Sequence, residues 1–369
     1  MKSVAFINHT IPAWLTETDD NSAIVLTSRV RYARNLANYP FPKKASDEQL
    51  NEILKIINTA INKNESLAEI FNAPNSINIE KLTPLQTEFL IERHLISFDF
   101  IQYARKRNSK EHSLSKQAVY INQDETISLM VNEEDHLRFQ VISPGINFAK
   151  GLQILDEIDN NLEASLKYAY SQQYGFLTAC PSNVGTGLRA SVLIHLPGLV
   201  LTKEIEKVLR AIWHIGYSVR GFYGEGTETR GYFFQISNTV TLGVSEQEII
   251  EGIEKVSNQI IDYEKRARDF LLKNTKTEIE DKIYRAYAIL KSARLISSEE
   301  ALNLLATVRL GIATGVITNL PLNEINKIML LIRPANLQIF YNQEMAPHER
   351  DEKRAALIRE LLSEITSKN

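Results

Sequence analysis

The chain has 369 residues, 44% of them hydrophobic and 24% charged, with a net charge of −3. That length accommodates two domains and that balance buries a sizeable core, while the slightly acidic charge excludes a general nucleic-acid coat. A single cysteine, Cys180, excludes a disulfide framework and a thiolate zinc cage, and fits a reducing cytoplasm.

Residues 1–20 carry Pro12, Trp14 and acids without a sustained apolar run, so they read as a loosely packed lead-in and not as a signal peptide. Apolar runs such as 190–194 are far too short to span a membrane. Residues 24–32 alternate. Ile24, Leu26, Ser28, Val30 and Tyr32 share one face of a predicted strand, and Val25, Thr27, Arg29 and Arg31 share the other. Two arginines side by side repel; an anion above them relieves this, and so does a solvent-facing strand edge. Ser46-Asp47 caps a predicted helix reaching about residue 63. Another is predicted over 80–98, with a break at Pro84 and His94 near its end.

Residues 109–116 are polar and loop-like. Extended segments 118–122, 126–131 and 136–143 follow, joined at 123–125 and at the tight loop 132–135. Glu133, Glu134 and Asp135 at that second tip are unremarkable in water and costly, hence informative, if they face a pocket. The spacing of Phe148, Leu152, Leu155, Ile158 and Leu162 predicts an amphipathic helix over 147–170. Next come a short buried strand at 176–180, a Gly-rich loop at 181–187, a strand at 188–196 and a helix from 202 to about 215. Strands at 217–219 and 231–240 flank a second acidic loop. Ser245-Glu246-Gln247-Glu248 is a capping box. Beyond it the chain reads as helix over 245–273, 276–294, 298–308, 323–332 and 347–366.

No P-loop, no H-R-D or D-F-G triplet and no G-x-G-x-x-G is present. What remains for phosphate is arginine. Arg29, Arg31, Arg138, Arg189 and Arg220 stand at strand starts, strand faces or loop edges. Their planar forks can hold a polyphosphate without a P-loop, and phosphoryl transfer asks for little beyond positioning, charge neutralisation and a metal. Acids beside such a clamp need a cation to face. A guanidinium is one, and as a nucleophile it must be held and relieved of a proton.

Five stretches occur in order: Leu26-Thr27-Ser28-Arg29-Val30-Arg31, Asn132-Glu133-Glu134-Asp135-His136-Leu137-Arg138, Cys180-Pro181-Ser182-Asn183-Val184-Gly185-Thr186, Arg189-Ala190-Ser191-Val192, and Arg220-Gly221 with Gly224-Glu225. Together they resemble the catalytic domain of the phosphagen (guanidino) kinases. Within that family the likeness is to the bacterial branch that phosphorylates arginine on proteins. It extends through Arg350-Asp351-Glu352-Lys353-Arg354-Ala355, which fits that branch's R-D-x-x-R-A motif.

The resemblance implies an α+β fold: a curved, mainly antiparallel sheet flanked by helices over 1–250, then an all-helical C-terminal domain over 251–369. It implies that Thr27, Ser28, Arg29, Val30 and Arg31, with Arg138, bind the nucleotide. Arg189, Ala190, Ser191, Val192 and Leu193, and Arg220, Gly221, Phe222, Tyr223, Gly224 and Glu225, would complete that site. His94 matches the family histidine at the adenine pocket. Glu134 and Glu225 would grip and deprotonate the guanidinium, Asp135 would support them, and Cys180 would lie against it, a buried structural cysteine being the plain alternative. ATP is the implied phosphoryl donor, with Mg2+ bridging its phosphates. Protein substrates with exposed arginine, a zinc-binding activator protein, a Clp chaperone-protease and a homodimer are implied partners, in a cytoplasmic setting of stress response and protein quality control.

Three departures from the small-molecule kinases bear on the acceptor. No helical domain precedes residue 27, Leu193 replaces a frequent histidine, and Tyr223 replaces an arginine. All three agree with an open site that admits a protein. Arg350 and Arg354 share a helical face beside Asp351, so the tail motif reads either as a phosphoarginine-binding allosteric site or as a helix start laced with salt bridges. Two rival functions stand beside protein-arginine phosphorylation: a kinase for free arginine or another small guanidine, and a non-catalytic phosphoarginine-binding adaptor.

Overall fold

The computed structural model describes residues 11–16, 21–72, 76–102, 116–221 and 231–368. Phe222, Tyr223, Gly224 and Glu225 lie outside the described residues, as does the expected loop at 109–116 except for Lys116. An eight-stranded sheet organises the chain. Its strands are β1 (Val25–Arg34), β2 (Ile77–Asn78), β3 (Ala118–Ile121), β4 (Ile127–Val131), β5 (Leu137–Pro144), β8 (Leu188–His195), β9 (Tyr217–Gly221) and β10 (Phe233–Asn238). A separate ribbon pairs β6 (Tyr170–Ser171) with β7 (Gly175–Phe176). The spatial order is β2-β3-β4-β5-β1-β8-β10-β9, and all pairings among the described strands are antiparallel. The expected α+β class, with its antiparallel sheet flanked by helices, is borne out.

β1 is central because both its edges are paired, with β5 on one side and β8 on the other. Its alternation holds from Thr27 onward but breaks at the start. The register to β8 shifts between Val25 and Thr27, so Leu26 is an extra residue. Val25 then packs in the core with Val30 and Tyr32, whereas Leu26 joins a second cluster with Ile142 and Leu193. The expectation that Leu26 shares a face with Val30 is corrected by this bulge.

One face of the sheet is apolar. Val30, Tyr32, Phe139, Val141, Ala190, Val192 and Ile236 face the Phe148–Glu163 and Glu246–Asn274 helices, with Leu155, Ile158, Ile253 and Ile260 in the same cluster. The cap at Ser46 and the capping box at Ser245 both form, each hydroxyl accepting from the backbone N–H three residues on, and Gln49 makes the first a full capping box as well. The expected division at 250/251 falls inside the Glu246–Asn274 helix, which packs on the sheet on both sides of that point.

The second cluster lies among the C-terminal helices and reaches one end of the sheet, where Phe233, Leu193 and Ile142 meet Ile283, Leu305 and Ile328. Buried arginines fasten the two cores together. Arg309 donates to the carbonyls of Ser22 (2.5 Å) and Ala23 (3.1 Å), to His195 Nδ1 (2.9 Å) and to Asn326 (3.1 Å). Arg268 donates to Ala23 O and His195 O and pairs with buried Glu264, which caps Gly198 and Leu199.

Several local expectations change. Within the lead-in, Ala13–Thr16 is a helical turn whose Trp14 and Leu15 are buried, because the second cluster extends over them. The helix expected over 80–98 is a short 3-10 turn and the helix Pro84–Glu92, opened by a Thr83 cap. The helix expected over 147–170 stops at Glu163: Lys167 O and Ala169 N bond to Ala37 N and Asn35 O instead. Residues 177–180 are not strand, since Ala179 N donates to the Asp135 carboxylate. Helices Glu65–Ile70, Pro197–Leu201 and Pro334–Phe340 were not anticipated, and the one expected at 298–308 runs Ser298–Ala313.

Candidate active site

The other face of the sheet is polar, and its composition follows from register. Residues directly opposite in antiparallel strands share a face. Arg31 lies opposite Gln140 on β5 and Arg189 on β8; Arg29 lies opposite Ile142 and Ser191; Ala33 lies opposite Arg138. Further out, Ser191 is opposite Ser237, Ser237 opposite Ser218, and Gln235 opposite Leu193 and Arg220. All five arginines singled out in the sequence therefore stand on one face. Ser28, Val30, Ala190 and Val192 were expected at the nucleotide. Their side chains point the other way: Val30, Ala190 and Val192 are in the core and Ser28 Oγ accepts from Asn147 N. Alternation sends every second residue of a strand motif to the opposite face.

Among the described residues Arg29, Arg31 and Arg189 form no ion pair, though Glu133 draws Arg31 part of the way back up. Burial brings Arg29 down to about 10, with Arg189 and Arg138 pushing the same way. Burial, then Arg138 and Arg29, hold Arg31 well below the usual guanidinium range. Burial, then Arg220 and Arg138, lower Arg189, whose Nη2 donates to Ser218 (3.2 Å) and Ser237 (3.1 Å). Guanidinium stays protonated near neutral pH regardless, so these shifts express burial first and crowded positive charge second, and a bound polyanion relieves the second.

Arg138 is the exception. Burial alone would lower it, but Glu133, Asp135 and Glu134 outweigh burial and hold it above its ordinary value. It ion-pairs with Glu133, with Glu134 at 2.9 Å and with Asp135 at 3.3 Å. The three acids of the β4–β5 tip are thereby given different situations. Glu133 is buried, bonded to Arg138 and Ser97. Glu133 is therefore no solvated tip charge but a buried counter-ion of Arg138. Asp135 is also buried; Oδ1 accepts from Asn35 Nδ2 (2.7 Å) and Ala179 N (2.8 Å), tying the tip to the loop before Cys180. Glu134 alone of the three keeps a side chain 34% exposed. Cys180 is half-buried, with Sγ 3.1 Å from Ser182 Oγ. The loop after it closes at Gly185, whose φ of +114° suits glycine and where a Cβ would run into Thr241 O.

His136 anchors the same tip from behind. Leu36 N donates to Nδ1 (3.0 Å), so the ring proton is on Nε2, 3.0 Å from Pro40 O. Burial pushes His136 down to about 4 from 6.5, against the pull of Pro40 O and Asp135. A folded pKa below the unfolded one means the neutral ring is what the fold holds, so its contribution is full above pH 6.5 and is lost as pH falls toward 4. From pH 7.5 to 5 the His136 ring by itself should take away about 2 kcal/mol of unfolding free energy. Urea denaturation of His136→Gln at both pH values should show a smaller loss by about that amount; equal losses would reject the assignment.

At the opposite end of the face, Trp14, Thr27, Arg29, His94, Ile142, Ser191, Leu193 and Gln235 line a cleft of about 60 Å3. The Trp14 and His94 rings are 6.1 Å apart and tilted by 48°. Trp14, Gln140, Gln235 and Glu133 were not foreseen. The alternation of β5 placed Gln140 beside Arg138, but nothing local tied Trp14 or Gln235 to this place.

In the tail motif, Arg350 and Asp351 are half-buried, Glu352 and Lys353 exposed, and Arg354 and Ala355 buried at 1% exposure. Arg354 donates to Ile332 O (2.8 Å) and Ile296 O (2.9 Å) and pairs with Asp351. Of the two readings of this motif, a phosphoarginine site or a helix start laced with salt bridges, the second describes Arg354, which holds backbone carbonyls and pairs with Asp351.

A file of guanidinium groups ending in a half-free carboxylate is the arrangement that a guanidine-directed phosphotransferase needs. Residues 52–267 match the family described as ATP:guanido phosphotransferase, C-terminal catalytic domain, and residues 276–369 match the protein-arginine kinase McsB C-terminal domain. The fold is similar to lombricine kinase (TM-score 0.56, 26% identity, covering 68% of each chain). It is also similar to the duplicated taurocyamine kinase of Schistosoma mansoni with bound transition state analog components (TM-score 0.58, 26% identity, 69% of this chain and 36% of that one). The protein-arginine kinase of Pelotomaculum thermopropionicum is 42% identical over 96% of both chains, and that of Brevibacillus brevis is 41% identical over 100% of this chain and 99% of its own. The chain belongs to the ATP:guanido phosphotransferase family, in its protein-arginine kinase branch.

Proposed function

We propose that the chain transfers the γ-phosphoryl group of ATP to arginine side chains of proteins. The observation that carries this is the order of groups along β1. From the Thr27 cleft, through Arg29 and Arg31, to Ala33 opposite Arg138 is six steps along the strand, or roughly 20 Å. The base would sit against the side of the cleft that Trp14 and His94 line. The phosphates would lie over Arg29, Arg31 and Arg189, with Arg220 at the edge and Arg138 under the γ-phosphoryl. Glu134, at the far end, would meet the acceptor guanidinium, hold it in line and take its proton. Glu225 is assigned the second grip on that guanidinium, and Phe222, Tyr223 and Gly224 the loop that brings it. Asp135 keeps the tip in place, and Cys180 would lie beside the guanidinium. Thr27, Ser191 and Leu193 would line the nucleotide, and Gly221 would end the strand that carries Arg220.

Magnesium, when bound, would neutralise the phosphates. Among the described residues no group of three or more His, Cys, Asp and Glu is placed to hold a metal. We assign the ion to the nucleotide's own oxygens, reached by the protein through water. At the tail, Arg350 and Asp351 are the groups we assign to a phosphoarginine ligand, on a frame braced by Arg354 and Ala355, with Glu352 and Lys353 at its rim. We divide the chain after the Glu246–Asn274 helix into a catalytic and a helical unit; the packing of that helix on the sheet supports the division. The family resemblance supports marking of proteins for a Clp protease, a zinc-binding activator and a homodimer. A cytoplasmic location agrees with the lone cysteine, and no described helix is long and apolar enough to cross a membrane.

The test is an assay with ATP and either free arginine or a protein such as casein, read by mass spectrometry under neutral handling. Phosphoarginine on the protein, at least about ten-fold above free-arginine turnover, is expected. The reverse preference would assign a free-guanidine kinase, and no phosphoarginine on either acceptor an adaptor.

A further inference from the structure

The corner that carries His94 is held from two sides. Glu92 ends the Pro84–Glu92 helix and is buried. Its carboxylate accepts from Ala335 N (3.0 and 3.1 Å), Asn336 N (2.9 Å) and Asn336 Nδ2 (2.7 Å), and its carbonyl accepts from Arg333 Nη1 (2.9 Å). Arg93 answers in the other direction: Nε donates to Asn336 Oδ1 (2.9 Å), and Nη1 reaches both oxygens of Glu125 at 2.8 Å. One side chain, Asn336, thus donates to an acid and accepts from the base next to it in sequence. His94 follows at φ +61°, a left-handed conformation that a residue with a Cβ keeps only where its surroundings over-determine it. Its carbonyl accepts from Gln140 (2.5 Å), which faces Arg31 on β1. The sheet therefore holds one side of the corner, and residues 333–336 of the helical region hold the other. Arg333 is also close enough to be the leading charge that, after burial, lowers His94.

We propose that Arg333 and Asn336 are positioning residues for the nucleotide: they lock the Glu92–Arg93–His94 corner so that His94 and Trp14 form the base cleft, making the helical region part of the ATP site. This rests on the reading of that cleft as the base site. Hydrogen bonds to charged partners are the ones whose loss moves a corner of this kind. The hydrogen bonds of Arg333 and Asn336 go to Glu92 and Arg93, so the effect should fall on the base and spare the phosphates.

The experiment uses the full chain. Asn336→Leu should raise KM for ATP roughly ten-fold with kcat at saturating ATP within about two-fold. Inhibition by inorganic tripolyphosphate, which has phosphates and no base, should change by less than about two-fold. Arg333→Met should behave likewise and Arg333→Lys should restore most of the ATP affinity. If Asn336→Leu does not fold, the half-exposed Arg333 pair carries the test. An unchanged KM, or equal weakening of ATP and tripolyphosphate, would overturn the proposal. The underlying reading fails separately: wild type that binds tripolyphosphate as tightly as ATP, or His94→Ala that leaves ATP affinity unaltered, would show that no base sits in this cleft.

Discussion

Glu134→Gln is expected to lower kcat for arginine phosphorylation by about a thousand-fold, with nucleotide affinity changed less than about three-fold. The reason lies in how the three acids of the tip are occupied. Glu133 and Asp135 are buried and bonded to Arg138, Ser97, Asn35 and Ala179. Glu134 spends one oxygen on Arg138 and keeps a partly exposed side chain with which to meet an incoming cation. Glutamine preserves its shape and removes its charge and basicity. Single-turnover phosphoryl transfer and equilibrium binding of ADP separate the two effects. A variant retaining a third of the wild-type rate would remove Glu134 from the chemistry. Glu133→Gln should act differently, reducing stability along with rate, because its carboxylate supports Arg138 from beneath.

Arg31→Met and Arg138→Met should have opposite effects on stability and similar effects on nucleotide binding. Arg31 sits among Arg29, Arg138 and Arg189, and both burial and those charges work against it. Removing it should leave stability unchanged or raised by about 1 kcal/mol. Arg138 is the counter-ion of three acids, two of them buried. Removing it strands those charges and should cost about 3–5 kcal/mol. Both variants should bind ADP at least about ten-fold more weakly, since each removes a fork from the face we propose for the phosphates. Urea denaturation with and without ADP reads all four numbers. If Arg31→Met proved as destabilising as Arg138→Met, the arginine face would be a structural network instead of a site held ready for an anion.

The tail arginines illustrate how far spacing carries. Arg350 and Arg354 four residues apart share a helical side, and that much followed from position alone. Their burial did not. Arg354 is buried because the carbonyls of Ile332 and Ile296, 22 and 58 residues away, come to it.

Local signals suffice where the determining interaction is local. The hydroxyl caps at Ser46 and Ser245, the β4–β5 tip and the alternation that pairs Arg29 with Arg31 all depend on neighbours within a few residues. So does the helical run after Ser245, where period and capping agree. Ordered motifs named the family and its five arginines, whose membership on one face the sequence could not state. That required the register of β1 against β5 and β8, strands more than a hundred residues distant. The extra residue at Leu26, the different duties of Glu133, Glu134 and Asp135, and the placing of Trp14 beside His94 were likewise decided by packing. The Asn336 bridge to Glu92 and Arg93 spans 244 and 243 residues. Periodicity reports which way a side chain leaves its own backbone. Whether a charge is buried, and by which distant partner it is satisfied, is set only when the sheet and the C-terminal helices close on one another.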